Sequence, residues 1–228
     1  MRTRKLTAAF GVAAATAGLV LLPSTAHAVQ LVPCSENALV NAINAANLVG
    51  GDDLVLSPFC TYTLTTAHGT GVNGPSGLPP ITTPIRLTGL GTDIARDPSA
   101  PAFRIAEVRG PGVFPATAGS LTLNAVTLRG GEGAAEEVGG GIGNFGGAVV
   151  LDASTLRNNS AEDGGGLYND TGSATLIGST VVGNIATDAN GGGGIYDNSG
   201  PVTLIASFVR GNSPDNCAPS GSIPFCTV

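Results

Sequence analysis

The chain has 228 residues, among them 35 Gly, no Trp, 16 acids and ten Lys or Arg. Arg2, Arg4 and Lys5 account for three of those cations, so residues 29–228 hold seven Arg against 16 acids, a net charge of −9. That balance excludes nucleic acid and anionic membrane surfaces as natural partners. The shortage of large side chains argues against a thick globular core and for a narrow one filled by Val, Leu and Ile.

Residues 1–28 read as a signal peptide. A basic start leads into an apolar stretch over residues 6–22, Pro23 ends it, and Ala26-His27-Ala28 has the small-x-small pattern of a signal-peptidase site. The alternative is an uncleaved anchor, for which the stretch is short. The arginines are not adjacent, as twin-arginine export requires, and no Cys follows the cleavage position to carry a lipid. The expectation is a secreted, extracellular protein with no membrane span in its mature part.

Residues 29–52 are expected to form an N-terminal cap. Ser35 suits a helix N-cap, and Leu39, Ile43 and Ala46 make an apolar stripe opposite Asn37, Asn41 and Asn44. Gly50-Gly51 ends the helix. All four Cys lie in the exported part, an even number that implies disulfides. Three pairings are possible; Cys34–Cys60 with Cys217–Cys226 keeps each bond local to one end and is the expected one. The spacings and the shortage of His disfavour a metal site as the alternative.

The fold is read from internal repeats. Gly119-Ser120-Leu121-Thr122-Leu123 recurs at Gly147-Ala148-Val149-Val150-Leu151, Gly172-Ser173-Ala174-Thr175-Leu176 and Gly200-Pro201-Val202-Thr203-Leu204, at spacings of 28, 25 and 28. A second element in register runs Leu128-Arg129-Gly130-Gly131, Leu156-Arg157-Asn158-Asn159, Val181-Val182-Gly183-Asn184 and Val209-Arg210-Gly211-Asn212. A third is Gly139-Gly140-Gly141-Ile142, Gly164-Gly165-Gly166-Leu167 and Gly192-Gly193-Gly194-Ile195. Each short run alternates with period two between Gly, Asn and Ser turns, the pattern of strands. One unit cannot bury its apolar side alone, whereas stacked units share a continuous column. The reading is therefore all-β: a right-handed parallel β-helix (solenoid) of about seven coils over residues 53–212, with an N-terminal capping α-helix and a disulfide-stapled C-terminal cap over residues 213–228. Leu54-Val55-Leu56, Ile85-Arg86-Leu87 and Phe103-Arg104-Ile105 are taken as the same strand in earlier, irregular coils, which makes the rod about 34 Å long. Residues 66–80 read as a loop off the first coil. Asn159, Asn184 and Asn212 are expected to form an interior hydrogen-bonded ladder.

Leu156-x-x-Asn159 and Val209-x-x-Asn212, with their Gly-Gly-Gly-Ile or Gly-Gly-Gly-Leu partners, resemble the FxxN and GGA(I/L/V) repeats of chlamydial polymorphic outer-membrane proteins and of bacterial secreted β-helix proteins. The opening, from Ala38-Leu39 through Gly51-Asp52-Asp53-Leu54 to Tyr62-Thr63-Leu64-Thr65, is similar to their N-terminal cap and first coil. The resemblance implies the β-helix fold and a role at a cell surface. No autotransporter barrel follows in this sequence, so a surface role implies non-covalent attachment.

Many proteins of the pectate-lyase-like fold cleave polysaccharides, a chemistry that needs clustered carboxylates or a base beside acidic ligands. Gly51-Asp52-Asp53 echoes the Gly-Asp-Asp of polygalacturonase-type hydrolases, but lies where a helix exit and strand start are the simpler reading. His68 reads as a surface loop residue with no adjacent acid. One outward column is expected to run Arg86, Arg104, Thr122, Val150, Thr175, Thr203. Its neighbour runs Thr88, Ala106, Asn124, Asp152, Ile177, Ile205, with Asp152 as the only acid on the face. Val150 interrupts what would otherwise suggest an ice-binding Thr array. Val150, Ile177 and Ile205 suggest an apolar stripe that either the tail covers or another molecule meets. Tyr168 and Tyr196, stacked on adjacent coils, with Arg129, Arg157 and Arg210, are the candidate ligand-binding residues, suited to a glycan or acidic polymer; solvated Arg and packing Tyr are the plainer alternative. Glu136, Glu137, Asp163 and Asp188 precede Gly triplets and are weighed as Ca²⁺ ligands, but the period does not match the Ca²⁺-binding nonapeptide repeat. No other cofactor is expected. The functional expectation is a secreted, non-catalytic β-helix that binds extracellular polysaccharide or a surface protein; the alternative is a polysaccharide lyase or glycoside hydrolase.

Overall fold

A computed structural model describes residues 30–70, 74–133 and 137–226. The leader and Glu136 lie outside the described residues. In chain order the elements are β1 (Gln30–Val32), α1 (Glu36–Val49), β2 (Asp52–Leu56), β3 (Thr61–Leu64), β4 (Pro84–Arg96), β5 (Ala106–Arg109), β6 (Ser120–Arg129), β7 (Ile142–Phe145), β8 (Ala148–Asp152), β9 (Thr155–Arg157), β10 (Ser160–Ala161), β11 (Leu167–Asp170), β12 (Ser173–Ile177), β13 (Thr180–Val182), β14 (Ile185–Ala186), β15 (Ile195–Ser199), β16 (Val202–Ile205), β17 (Phe208–Arg210) and β18 (Cys217–Ala218). The described chain is mostly β, and all pairings between these strands are parallel.

Three sheets result. A large sheet of 11 strands has the backbone order β1-β2-β4-β6-β8-β12-β16, with β3, β9, β13 and β17 continuing it around a corner. β10 and β14 form a two-stranded sheet, and β18-β15-β11-β7-β5 a five-stranded one. Each of the later units gives two strands to the large sheet, one on either side of its corner, and one to the five-stranded sheet before the next unit begins, which is why only parallel neighbours occur.

The interior is built from files of equivalent apolar residues. Leu54, Leu87, Leu123, Leu151, Leu176 and Leu204 lie in register along the large sheet. Around its corner runs Tyr62, Ile94, Leu128, Leu156, Val181 and Val209. The five-stranded sheet supplies Ala106, Ile142, Leu167, Ile195 and Cys217. All three files belong to one core, and each fully buried Leu or Ile contributes about 1.5–3 kcal/mol relative to exposure.

The corners are polar and internally satisfied. At one of them, Asn159 Oδ1 accepts from the Gly131 amide (2.9 Å), Asn184 Oδ1 from the Asn159 amide (3.0 Å), and Asn212 Oδ1 from the Asn184 amide (2.9 Å). Their Nδ2 groups donate to the carbonyls of Leu128, Leu156 and Val181. Asn216 closes this file, its Oδ1 accepting from the Asn212 amide at 3.2 Å. A second ladder, missed from sequence, turns the large sheet's corner: the amides of Val126, Ser154 and Ser179 donate to the hydroxyls of Ser154, Ser179 and Ser207. The residue before each Ser sits in the left-handed region (Ala153 φ 48°, Gly178 φ 55°, Ala206 φ 47°), the sharp bend that the hydroxyl then stabilises. A third ladder links Asn144 Nδ2 to Asn169 Oδ1 (2.7 Å) and Asn169 Nδ2 to Asp197 Oδ1 (3.1 Å).

The two ends differ. Ser35 caps α1 through the Ala38 amide (3.2 Å), Gly50 ends it in the left-handed region, and Leu39, Ile43 and Ala46 are buried over the first units. Cys34–Cys60 ties this helix to the strands beneath it, and Cys217–Cys226 staples the opposite end, where Ile223 is buried against the core.

Two expectations are corrected. Phe103-Arg104-Ile105 is not a strand of the large sheet: β4 pairs directly with β6, and the seventh large-sheet strand is β1. Residues 103–105 instead run beside residues 76–78 at the margin of the five-stranded sheet, where Ser76 bridges Arg104 and Ile81 bridges Val108. For the same reason residues 66–80 are not simply a loop; Gly69 and Ser76 pair as a hairpin, and Leu78 is buried in the core. The spacing of 18 residues on either side of Phe103 was half a unit, not a whole one.

Candidate functional site

The five-stranded sheet carries the densest chemistry on its outer side. Parallel register lines up Glu107, Gly143, Tyr168, Tyr196 and Ala218. The Tyr168 and Tyr196 rings stack at 5.5 Å between centroids with an 11° interplanar angle, and Phe145 leans on Tyr168 at 6.0 Å. Burial pushes the Tyr168 hydroxyl up to about 12, helped by the negative charges of Asp170 and Asp163. Burial and then Asp163 and Asp188 raise Tyr196 as well. Both phenols therefore stay protonated near neutral pH and can donate hydrogen bonds. Asp163 is raised by burial, by Asp188 and by Glu162, so the field over this face is negative.

Beyond Phe145 lies a buried ionic group. Arg104 has no exposed surface, and its guanidinium sits 5.6 Å over the Phe145 ring. Glu137 Oε2 is 4.0 Å from its Nη2. Glu107 is also fully buried, accepts from Arg109 Nε, and lends Arg104 further negative charge. Burial lowers the Arg104 pKa, and Glu107 and Glu137 oppose that shift. No protein acceptor among the described residues takes a hydrogen bond from the three Arg104 nitrogens. Gly143 is required here, because a Cβ would stand 2.5 Å from Arg104 Nη1 and 2.8 Å from the Phe145 ring.

The five residues expected to form one ligand site do not meet. Arg129, Arg157 and Arg210 lie in one file of the large sheet, on β6, β9 and β17, while the tyrosines belong to the five-stranded sheet. Arg129 Nε and Arg157 Nη2 both bind Asp93 Oδ2, at 2.7 and 3.1 Å. Asp93 is on β4, in a segment whose alignment the irregular early spacing concealed. Arg210 is exposed.

The outward columns of the large sheet also change. The first runs Asp53, Arg86, Thr122, Val150, Thr175, Thr203, and the second Val55, Thr88, Asn124, Asp152, Ile177, Ile205. Arg104 and Ala106 leave them, and Asp152 is not the only acid on this face, because Asp53 shares it. Asp53 Oδ1 lies 3.4 Å from Arg86 Nε. Asp52 and Asp53 are successive residues of one strand, so their side chains leave opposite faces. The Asp52 carboxylate turns back onto the Asp53 amide at 2.8 Å. They do not form the convergent carboxylate pair that glycoside hydrolysis needs. Ile177 and Ile205 remain 38% and 48% exposed, so the tail does not cover the apolar stripe.

His68 does have an acidic neighbour: its Nε2 is 2.9 Å from Glu36 Oε1. Glu36 also accepts from the Thr65 hydroxyl and from the Thr65 and Thr66 amides, which clamps the first turn of α1 to the end of β3. Partial burial pushes the Glu36 carboxyl up, but the hydrogen bonds from Thr65, His68 and Thr66 outweigh it and leave the pKa below its ordinary value. Among the described residues no group of three or more His, Cys, Asp or Glu side chains converges as metal ligands. Glu136, one of the four considered for Ca²⁺, lies outside them. No described helix is long and apolar enough to cross a membrane.

The chain matches no protein-family model, no curated protein and no solved structure.

Proposed function

We propose that this chain is a right-handed parallel β-helix, exported from the cell, that serves as a non-catalytic glycan-binding module of the extracellular surface or matrix. The β-helix reading is supported by the large and five-stranded parallel sheets, which the later units extend in the same order, and by the chirality that parallel crossovers obey. Two disulfides suit an oxidising, extracellular setting. The resemblance to the repeats of polymorphic outer-membrane proteins supports a surface role.

The observation that carries the binding role is the stacked Tyr168–Tyr196 pair, two neutral phenols on the outer side of a rigid sheet. Such a pair offers apolar ring surface and hydroxyl donors together, the combination that a sugar's C–H face and hydroxyls require. The acids around it favour neutral or amine-bearing glycans over acidic polymers. Two arginines that could serve a lyase, Arg129 and Arg157, are engaged with Asp93.

The test is binding and turnover on one polysaccharide and oligosaccharide panel. Binding without cleavage is expected, and Tyr196→Ala should weaken it about three- to tenfold. Cleavage of any glycan by the wild type, lost in Arg104→Met, would overturn the non-catalytic reading. Absence of binding to the whole panel would overturn the glycan-binding one.

A further inference from the structure

A second feature lies on the outer face of the large sheet, away from the tyrosines. Two adjoining hollows of about 270 and 100 Å³ share Asp53 and Pro84 as their common wall. The larger reaches Gly50 and Gly51 at the exit of α1; the smaller is lined by Arg86, Ser120 and Thr122. Pairing of β2, β4 and β6 sets these residues in two neighbouring files, Asp53-Arg86-Thr122 and Pro84-Ser120. Gly51 keeps the hollow open. It has φ 127°, and a Cβ there would run into the Pro84 carbonyl, so the chain turns from helix to strand with no side chain over the cleft.

The lining has a definite chemistry. Asp53 accepts hydrogen bonds, Arg86 donates them, the Ser120 and Thr122 hydroxyls do both, and the Pro84 ring gives an apolar ledge. The Asp53–Arg86 pair is long at 3.4 Å, with side chains 68% and 48% exposed. A pair so solvated contributes little to folding, so both groups can turn to a ligand at small cost. The two charges cancel, so a uronate would meet Asp53 and an amino sugar would meet Arg86. Vicinal hydroxyls, each both donor and acceptor, satisfy the carboxylate and the guanidinium together.

We propose that this cleft is a subsite for one uncharged sugar residue, held by Asp53, Arg86, Ser120 and Thr122 with its C–H face on Pro84. The inference rests on the glycan-binding reading above but uses a different face, so the two can fail separately.

Amide NMR of the secreted chain, titrated with methyl glucoside, methyl mannoside, methyl glucuronide and glucosamine at millimolar concentration, tests it. Saturable shifts at Asp53, Arg86, Ser120 and Thr122 with at least one neutral glycoside are expected. They should weaken about tenfold or more in Arg86→Met, which removes a charged donor, and in Thr122→Trp, whose ring fills the cleft. Both positions face outward, and unchanged amide dispersion elsewhere will show that the fold is kept. Tyr196→Ala should leave these shifts intact. Shifts confined to the Tyr168–Tyr196 face would overturn the subsite and leave the glycan-binding module standing, as would tighter binding of glucuronide or glucosamine at Asp53. No saturable shift at the cleft with any of the four probes would likewise overturn it, while the glycan panel decides the module independently.

Discussion

Replacing Asn184 with Ala removes the central member of the Asn ladder. Asn184 Oδ1 accepts from the backbone and side-chain nitrogens of Asn159, both at 3.0 Å, and its Nδ2 donates to the Leu156 carbonyl and to Asn212 Oδ1, again at 3.0 Å. The Asn159 side chain keeps its bond to the Leu128 carbonyl, and Asn212 keeps Val181. What Ala cannot replace is the partner of one backbone group, the Asn159 amide; the Leu156 carbonyl stays in the parallel ladder between β9 and β13. An orphaned buried amide costs about 1–3 kcal/mol and each lost side-chain bond about 1 kcal/mol, so the substitution should cost about 3 kcal/mol, with water entry into the vacated space tempering the sum. For a chain of this size that lowers Tm by about 6–12 °C. Urea unfolding with both disulfides intact gives the cleaner measurement, since the midpoint shifts without a change in slope if the folded fraction alone is affected. Asn212→Ala, at a half-buried site, should cost less than half as much. A cost below about 0.5 kcal/mol for Asn184→Ala, the level of an inert surface change, would refute the claim that the side-chain files hold the corners. So would a larger cost at Asn212 than at Asn184.

Glycine substitutions should separate packing from backbone freedom. A Cβ on Gly166 would lie 2.5 Å from the Gly194 carbonyl of the next unit, whereas one on Gly178 meets nothing within 4 Å. Gly166→Ala should therefore unfold the chain or cost more than about 3 kcal/mol, and Gly178→Ala only about 1 kcal/mol from its left-handed φ; chemical denaturation of both decides. Acidification should loosen α1. The Glu36 pKa is lowered by folding, so its contribution is present above the ordinary carboxyl value of 4.5 and disappears as pH falls through the folded value. Protection factors of the α1 amides, exchange rates normalised to the intrinsic rate at each pH, should fall below that range in the wild type, and Glu36→Gln should flatten the dependence; an identical profile in both would exclude the clamp. Cys217→Ser with Cys226→Ser should cost about 2–3 kcal/mol by releasing a nine-residue separation and expose Ile223 to solvent. Unchanged exchange at the last unit would show that the staple is dispensable.

The later units were readable because three signals repeat together: the Leu file, the Asn at the corner and the Gly triplet. Each marks a physical necessity, since core, corner and close backbone approach each admit few residue types. The third ladder was equally legible in principle, as Asn144-x-x-Gly147, Asn169-x-x-Gly172 and Asp197-x-x-Gly200 keep the same spacing, but its residues look like ordinary turn formers. The early units were not readable. With no Gly triplet or corner Asn to set the phase, Phe103-Arg104-Ile105 has the same period-two apolar pattern as a large-sheet strand, and alternation alone cannot say which sheet a strand joins. That single misplacement hid the Arg104–Glu107–Glu137 group and put Arg104 on the wrong face. The Arg–Asp93 pairing was hidden for a related reason: Asp93 is one half of a long strand whose register shifts between Thr88 and Thr92.

The Gly triplets have an evolutionary corollary. The turn before the triplet takes three residues from Ala161 to Gly164 and six from Ala186 to Gly192, whereas the Ser and Asn corners keep constant length between these later units. Among the later units, insertions and deletions thus fall at this hinge, which borders the tyrosine face through Asp163 and Asp188. Selection can resculpt the rim of that face, lengthening or trimming one turn at a time, while the sheets of the later units are held by corners of fixed size.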